Sequence, residues 1–135
     1  MNDFEQLASA WARAWESDDS DAFVRLFAED AVYRDDQAGR LSRGHAELHA
    51  FHAHFAAALS GFRLEITNAF RSGTSGCLEW MSSGVQSGTY HGSPPTNKSF
   101  RVPGATVLEM TPDHKVLRCV DYYDGRTLAR QLGEG

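Results

Sequence analysis

Asp121 places a carboxylate inside an apolar stretch, Val116–Tyr123, that is rich in β-branched and aromatic residues. The alternation of this stretch predicts a β-strand, in which every second side chain lies on the same face. The residues that would share the face of Asp121 are Leu117, Cys119 and Tyr123. Desolvation among apolar neighbours raises a carboxyl pKa toward the range useful for moving protons, so Asp121 is a candidate catalytic acid or base. An ion pair with Arg118 or Arg126 is the structural alternative.

Tyr33 and Asp35 form a second candidate group. In the short alternating segment that contains them, both residues fall on the same strand face, where an O–H donor would lie beside a carboxylate. We therefore predict that they assist Asp121 as catalytic groups. The alternative is that Asp35 begins a turn, because residues 36–39 are typical of a loop.

Three histidines, His45, His49 and His52, recur at i, i+4 and i+7 along one side of a predicted helix. A metal site needs further ligands, and no carboxylate or cysteine evidently completes this stripe; Glu47, the nearest acid, lies well away from it. We predict no metal and no cofactor. His52 is expected to be partly buried and to line a substrate cavity.

The elements that position these residues follow from a change of hydrophobic period at about Ser60. Apolar residues recur at helical spacing before it and alternate after it. Three helices are predicted: one capped by Asn2 or Asp3 and ending near Ser17, a short one after Asp18–Ser20, and one after Gly44. The predicted strands are 31–35, Phe62–Phe70, Gly76–Tyr90, Ser99–Met110 and Val116–Tyr123. Helices followed by strands predict an α+β domain, with the helices on one face of a mainly antiparallel sheet.

Composition narrows the classes of function. The chain has 135 residues and a net charge of −5, and it has no Lys/Arg-rich run, so we expect no nucleic-acid partner. It has no apolar run long enough for a membrane span and no signal-peptide pattern at its start. We therefore expect one soluble, cytoplasmic domain over residues 1–135, with no membrane partner. Cys77 and Cys119 are expected to be reduced packing thiols.

Several segments are similar to known sequences. Phe27–Asp35, followed by Gly44 and a helix, resembles the opening of the ketosteroid-isomerase and nuclear-transport-factor-2-like superfamily. Gly92–Lys98, the strand through Gly104, and Asp121–Asp124 running on to Gly133 resemble the SnoaL-like polyketide cyclases within that superfamily.

This resemblance implies a cone-shaped, curved, mainly antiparallel sheet that is covered by three N-terminal helices and encloses an apolar pocket. It also implies cofactor-free acid/base chemistry. Asp121 matches the acid/base carboxylate of the cyclases, and Asp35 matches the general base of the isomerases. Val107 stands at the place of the histidine that assists the cyclase carboxylate, which is a departure from the cyclase pattern. The expected pocket wall includes Trp11, Phe51, His52 and Trp80.

The leading hypothesis is a cofactor-independent acid/base enzyme acting on a hydrophobic, carbonyl-bearing small molecule, by cyclisation or isomerisation. Epoxide or ester hydrolysis of the limonene-epoxide-hydrolase type is one alternative, and a non-catalytic ligand-binding or dimerisation module is another. The resemblance also implies a homodimer formed through the sheet. Val116, Val120 and Tyr122 would supply apolar side chains on its outer face.

Overall fold

The computed structural model describes residues 2–133 and confirms the predicted α+β architecture, a curved and mainly antiparallel sheet with helices packed against it. The helices are α1 (Asp3–Glu16), α2 (Ser20–Val24), α3 (Gly44–Ala58) and α4 (Gly125–Gln131). The strands are β1 (Phe27–Asp35), β2 (Arg40–Arg43), β3 (Leu59–Ser72), β4 (Ser75–Gln86), β5 (Ser99–Met110) and β6 (Val116–Tyr123).

The ends of the helices follow local rules. The Asn2 side chain accepts a hydrogen bond from the Glu5 N–H at 2.8 Å and caps α1, one of the two caps that the sequence predicts. Asp19 caps α2 in the same way. Gly44 begins α3 with a φ of 76°, a left-handed conformation that favours glycine over residues with a Cβ.

Two short elements, β2 and α4, were not predicted from the sequence. Strand β2 has four residues and α4 has seven, so neither is long enough to show a clear hydrophobic period. Strand β4 also ends at Gln86 rather than at Tyr90. The segment between Gln86 and Ser99 is a loop, and it carries Tyr90 back against the helices.

The sheet order is β2-β1-β6-β5-β4-β3, and the pairing of β1 with β6 is parallel while the other pairs are antiparallel. This order places the first strand of the chain beside the last one. Tyr33 pairs with Cys119, and Thr106 pairs with Asp121, so side chains from three strands meet on the inner face. The chemistry-bearing residues of β1 and β6, 88 residues apart in the chain, thereby become neighbours.

An irregularity at the start of β6 changes which residues face inward. The register between β5 and β6 shifts, and Leu117 is left without a partner. A bulge of this kind turns the side chains on either side of it to opposite faces relative to a regular strand. Val116 is therefore fully buried in the core together with Cys119. Two predictions are wrong for this reason: Leu117 does not belong to the regular face of Asp121, and Val116 is not on the outer face.

The main hydrophobic core lies between the inner face of the sheet and helices α1 to α3. It is dominated by aromatic side chains, among them Trp11, Trp15, Phe23 and Phe51. A second apolar cluster joins α4 to β5 through Phe100, Val102 and Leu132. Among residues 2–133, no helix is long and apolar enough to cross a membrane.

Candidate active site

A cavity lies between the helices and the inner face of the sheet. Its volume, measured as the space open to the centres of water molecules, is about 70 Å³. That is room for about five water molecules. Ten aromatic side chains line it: Trp11, Trp15, Tyr33, Phe51, Phe55, Phe62, Trp80, Tyr90, Phe100 and Tyr123. The other polar lining residues are Asp35, Ser82, Thr106 and Asp121, and the remainder are aliphatic.

Asp121 lies near the C-terminal end of β6, and both of its carboxylate oxygens accept hydrogen bonds. The Tyr33 hydroxyl donates to Oδ2 at 2.6 Å, and the Thr106 hydroxyl donates to Oδ1 at 2.6 Å. Each donor comes from a strand adjacent to β6, so the sheet register fixes both distances. Among residues 2–133, no Lys or Arg forms an ion pair with Asp121, and the ion-pair alternative with Arg118 or Arg126 is therefore wrong.

Trp80 holds the Thr106 hydroxyl in place. The indole Nε1–H donates to Thr106 Oγ1 at 2.9 Å, and both residues are buried. A hydroxyl group has only one proton, so an Oγ that accepts from Trp80 and lies 2.6 Å from Asp121 directs that proton at the carboxylate. The backbone makes room for the indole ring, because a Cβ at Gly104 would overlap it.

Asp35 is buried at the end of β1, on the same cavity. The Tyr123 hydroxyl donates to its two oxygens at 3.0 and 3.2 Å, and the Ala38 N–H donates to Oδ1 at 3.1 Å. The bond from Ala38 is the turn contact that the sequence offers as the alternative. The bonds from Tyr123 place the same carboxylate in the cavity, so Asp35 has both roles.

Burial raises the pKa of Asp121 to about 7, and the nearby charge of Asp35 acts in the same direction. The hydrogen bonds from Thr106 and Tyr33 favour the ionised form and oppose the shift. Burial also raises the pKa of Asp35, against the hydrogen bonds from Ala38 and Tyr123. Burial raises the tyrosine pKa values as well, so Tyr33 and Tyr123 remain protonated donors at neutral pH.

The structure brings together most of the residues that the sequence predicts for the site. Tyr33, Asp35 and Asp121 line one cavity, and Trp11, Phe51 and Trp80 form part of its wall. The prediction that Tyr33 pairs with its strand neighbour Asp35 is wrong in detail, since the Tyr33 hydroxyl bonds Asp121 on the adjacent strand.

His52 does not line the cavity, contrary to the prediction. Its ring is fully buried behind the cavity wall, where it stacks on Phe23 with ring centroids 4.7 Å apart. Ring Nε2 lies 2.7 Å from the carbonyl of Ala14, and Nδ1 lies 2.8 Å from the Ser20 hydroxyl. Both nitrogens are therefore used in joining α3 to α1 and α2, and His52 has a structural role.

The other histidines of the stripe also have separate partners. Nε2 of His45 lies 2.9 Å from the Phe27 carbonyl, and His49 lies 3.2 Å from the Asp21 carboxylate. Within the part of the chain that the structure describes, no group of His, Cys, Asp and Glu is arranged to hold a metal ion. The three side chains point to different neighbours rather than to one centre.

Val107 does not approach Asp121, although the sequence comparison assigned it the place of the cyclase histidine. Its side chain is 46% exposed on the outer face of the sheet. The residue opposite Asp121 is Thr106, which sequence reasoning missed. The available signal was the hydroxyl of Thr106 on the face of β5 that also carries the buried Val102 and Leu108.

These features define a fold class and then a family. The cavity inside a curved sheet, covered by helices, is the ketosteroid-isomerase-like and nuclear-transport-factor-2-like fold of solved structures that are similar in shape. The family model for the SnoaL-like domain matches residues 8–119, and the chain belongs to that family. No curated protein sequence matches the chain significantly.

Among the similar solved structures is a hypothetical protein with a ketosteroid isomerase-like fold from Catenulispora acidiphila DSM 44928, in complex with trimethylamine. It is 27% identical, with a TM-score of 0.85, over 96% of this chain and 94% of that one. A candidate SnoaL-like polyketide cyclase from Shewanella denitrificans OS-217 is 23% identical, with a TM-score of 0.83, over 97% of each chain. A candidate polyketide cyclase from Xanthomonas campestris pv. campestris is 21% identical, with a TM-score of 0.83, over 96% of each chain.

Proposed function

We propose that this protein is a cofactor-independent acid/base enzyme that cyclises or isomerises a small, hydrophobic, carbonyl-bearing molecule. One observation carries the proposal: the Asp121 carboxylate faces an aromatic cavity between two hydroxyl donors, with its pKa raised to about 7. A general base works best when its pKa lies near the working pH. An ordinary exposed Asp, with a pKa near 3.9, would be too weak a base.

In this proposal Asp121 takes a proton from a carbon next to the substrate carbonyl. The electron pair of the broken C–H bond forms the enolate. Isomerisation returns the proton from Asp121 to another carbon, whereas cyclisation adds the enolate to a second carbonyl, whose oxygen then takes the proton from Asp121. Once Asp121 has taken up the proton, the Tyr33 hydroxyl is free to turn away from it and supplies a hydrogen bond to the developing oxyanion. Asp35 holds Tyr123 in position through the hydrogen bonds between them.

Exchange of carbon-bound hydrogen for deuterium tests this step without knowledge of the final product. Small cyclic and aromatic ketones are incubated with the protein in D₂O, and loss of the α-proton signal is followed by NMR. We expect wild-type protein to catalyse the exchange and Asp121→Asn to lose about 10²–10⁴-fold of the rate. The wild-type rate should rise with pH through about 7, because only the ionised carboxylate accepts a proton. Equal rates for both proteins would exclude Asp121 as the base.

Hydrolysis of an epoxide or ester is the first alternative, with Asp121 activating a water molecule and Tyr33 and Asp35 helping to hold it. The cavity has room for such a water beside the carboxylate. Incorporation of oxygen from ¹⁸O-labelled water into the product would distinguish hydrolysis, because cyclisation and isomerisation take no oxygen from solvent.

A ligand-binding module without catalysis is the second alternative. It is favoured by the Catenulispora relative, whose structure contains trimethylamine in a protein of the same fold. Under this alternative the cavity retains a ligand while Asp121→Asn changes affinity and no turnover is found.

We also propose that the protein forms a homodimer through the outer face of the sheet. Val107 and Tyr122 are 46% and 52% exposed there, and Phe70, in the same cross-strand row as Val107, is 54% exposed. Apolar side chains in one row across several strands form a surface that a second copy would cover. Light scattering at micromolar concentration should give the dimer mass, and Val107→Glu should give the monomer. A monomeric wild-type protein would refute the proposal.

A further inference from the structure

The charged groups of the cavity are all negative. Among residues 2–133, its lining contains two carboxylates, Asp35 and Asp121, and no Lys, Arg or His. The four ion pairs of the described chain involve other residues. The hydroxyl and amide donors around the two carboxylates supply partial positive charge but no full charge. Arg40 lies over the ring of the lining residue Phe51, with its guanidinium carbon 5.5 Å from the ring centroid, but among residues 2–133 no Lys, Arg or His forms an ion pair with either cavity carboxylate.

The walls of the cavity suit a cation as well. The ten lining rings present π systems whose faces are electron-rich, and such faces attract ammonium groups. Trp11 and Tyr33 stack with ring centroids 6.0 Å apart, and Tyr33 lies edge-on to Phe51 at 5.2 Å, so the rings are fixed in their positions by packing against one another. The methyl and methylene groups of an alkylammonium ion are also compatible with these apolar surfaces.

We propose that the cavity recognises a small alkylammonium ion, held between the aromatic walls and the carboxylates of Asp35 and Asp121. The inference rests on the proposed function in one respect, since it places the charged part of the ligand in the same cavity as the candidate base. It extends that function by naming the ligand class: a small organic cation, or a substrate whose cavity-bound part is an ammonium group.

A bound cation would also prepare the proposed base. A positive charge near a carboxylate favours its ionised form, which is the form that accepts protons. Other titratable groups near Asp121 are Asp35 and Tyr33 on β1, Cys119 and Tyr123 on β6, and Tyr90 in the loop after β4. The tyrosines and Cys119 have pKa values raised above their usual range, so Asp35, whose pKa is also raised by burial, is the other carboxyl group of this set.

The test compares a cation with a neutral molecule of the same shape. Choline and 3,3-dimethylbutan-1-ol differ in having a quaternary nitrogen or a quaternary carbon, and the nitrogen has no titratable proton. Binding to the wild-type protein is measured by calorimetry at pH 8. We expect choline to bind at least tenfold more tightly. Equal affinities, or no measurable binding of choline, would overturn the inference.

Variants then assign the preference to the carboxylates. Asp121→Asn and Asp35→Asn each remove a charge while keeping the shape of the side chain, and each should lower the preference for choline. Asp30→Asn is the matched control. Asp30 is exposed on β1 outside the cavity, and its substitution removes one negative charge, as the two cavity substitutions do. A preference that falls equally in the control variant would reflect net charge alone and would contradict the proposal. Melting temperature and circular dichroism confirm that each variant is folded.

A second readout uses pH. Choline affinity should rise between pH 6 and pH 8 in the wild-type protein, as Asp121 ionises, and this rise should be absent in Asp121→Asn. The binding experiments need no turnover, so their outcome is separate from that of the deuterium-exchange experiment. Exchange that depends on Asp121 without a preference for choline would leave the proposed function standing and remove this inference alone.

Discussion

Two tyrosine–carboxylate pairs cross between the parallel strands β1 and β6, and they differ in what else holds the carboxylate. Tyr33 on β1 donates to Asp121 on β6 at 2.6 Å, and Tyr123 on β6 donates to Asp35 on β1 at 3.0 Å. Among residues 2–133, the donors to Asp121 are both side-chain hydroxyls, whereas Asp35 also accepts the backbone N–H of Ala38. Asp121 is part-buried toward the cavity, and Asp35 is only 6% exposed.

This difference favours proton exchange at the Asp121 carboxylate and a permanently ionised carboxylate at Asp35. Hydroxyl donors reorient when the carboxylate they face becomes protonated, since each can donate or accept. A backbone N–H cannot reorient, so it favours the ionised carboxylate at all times. We interpret Asp121 as the group that carries the proton and Asp35 as the group that anchors the turn and orients Tyr123.

The largest expected effect is on the pH dependence of stability. The pKa of Asp121 is raised to about 7 in the folded protein and is about 3.9 in the unfolded chain, so its contribution is fully present below the unfolded pKa and is lost as pH rises toward 7. The loss is at most about 4 kcal/mol. Asp121→Asn should therefore gain free energy of unfolding relative to wild type between pH 4 and pH 8, as measured by urea denaturation.

Asp35→Asn should show the same sign with a smaller change, because the Ala38 N–H and the Tyr123 hydroxyl both hold the ionised form of Asp35. Asp30→Asn, at an exposed position on β1, serves as the control for the loss of one negative charge. A larger pH-dependent gain in Asp35→Asn than in Asp121→Asn would reverse the assignment of the two carboxylates.

The next effect concerns the donor to Asp121. Thr106→Val removes the hydroxyl that stabilises the ionised carboxylate, so the pKa of Asp121 should rise further, by about one to two units for a hydrogen bond to a charged group. Thr106→Ser keeps the hydroxyl and should leave the pKa close to that of wild type. Carbon-13 NMR of labelled aspartate carboxyl groups measures both values. A Thr106→Val titration identical to that of wild type would rule out Thr106 as a determinant.

Tyr123→Phe makes the corresponding change at the other carboxylate. The pKa of Asp35 should rise, because a hydroxyl that favours its ionised form is removed. The rise should be smaller than that of Asp121 in Thr106→Val, because the Ala38 N–H remains in place and the lost contacts, at 3.0 and 3.2 Å, are longer than the 2.6 Å contact that Thr106→Val removes. The same NMR titration measures it. If Asp35 shifted more than Asp121, the backbone anchor would not have the role assigned to it.

The smallest effect is expected for Trp80→Phe. This change removes the indole N–H that directs the Thr106 hydroxyl but leaves an aromatic ring against Gly104. The pKa of Asp121 should rise by less than it does in Thr106→Val, because Thr106 can still donate, although with a less fixed orientation. The pKa of Asp121 in the double variant Trp80→Phe/Thr106→Val should then equal its pKa in Thr106→Val alone. An additive shift would show that Trp80 acts on Asp121 independently of Thr106.

Much of the fold could be predicted from the sequence because long helices and strands show a clear hydrophobic period. The change from helical spacing to alternation separates the N-terminal helices from the long strands β3 to β6. The placement of His52 could not be predicted in the same way. A histidine beside the apolar face of a helix can either line a cavity or bridge to other helices, and only the position of the Ala14 carbonyl and the Ser20 hydroxyl decides between them.

The sequence by itself determined which side chains are available to the site. Alternation within each strand put Tyr33 with Asp35, and Asp121 with Tyr123, on common faces. The tertiary structure alone decided that the partners cross between strands, because the parallel register of β1 and β6 is set by contacts 88 residues apart. It also decided that Thr106 rather than Val107 reaches Asp121, since a register difference of one residue moves a side chain to the opposite face of a sheet.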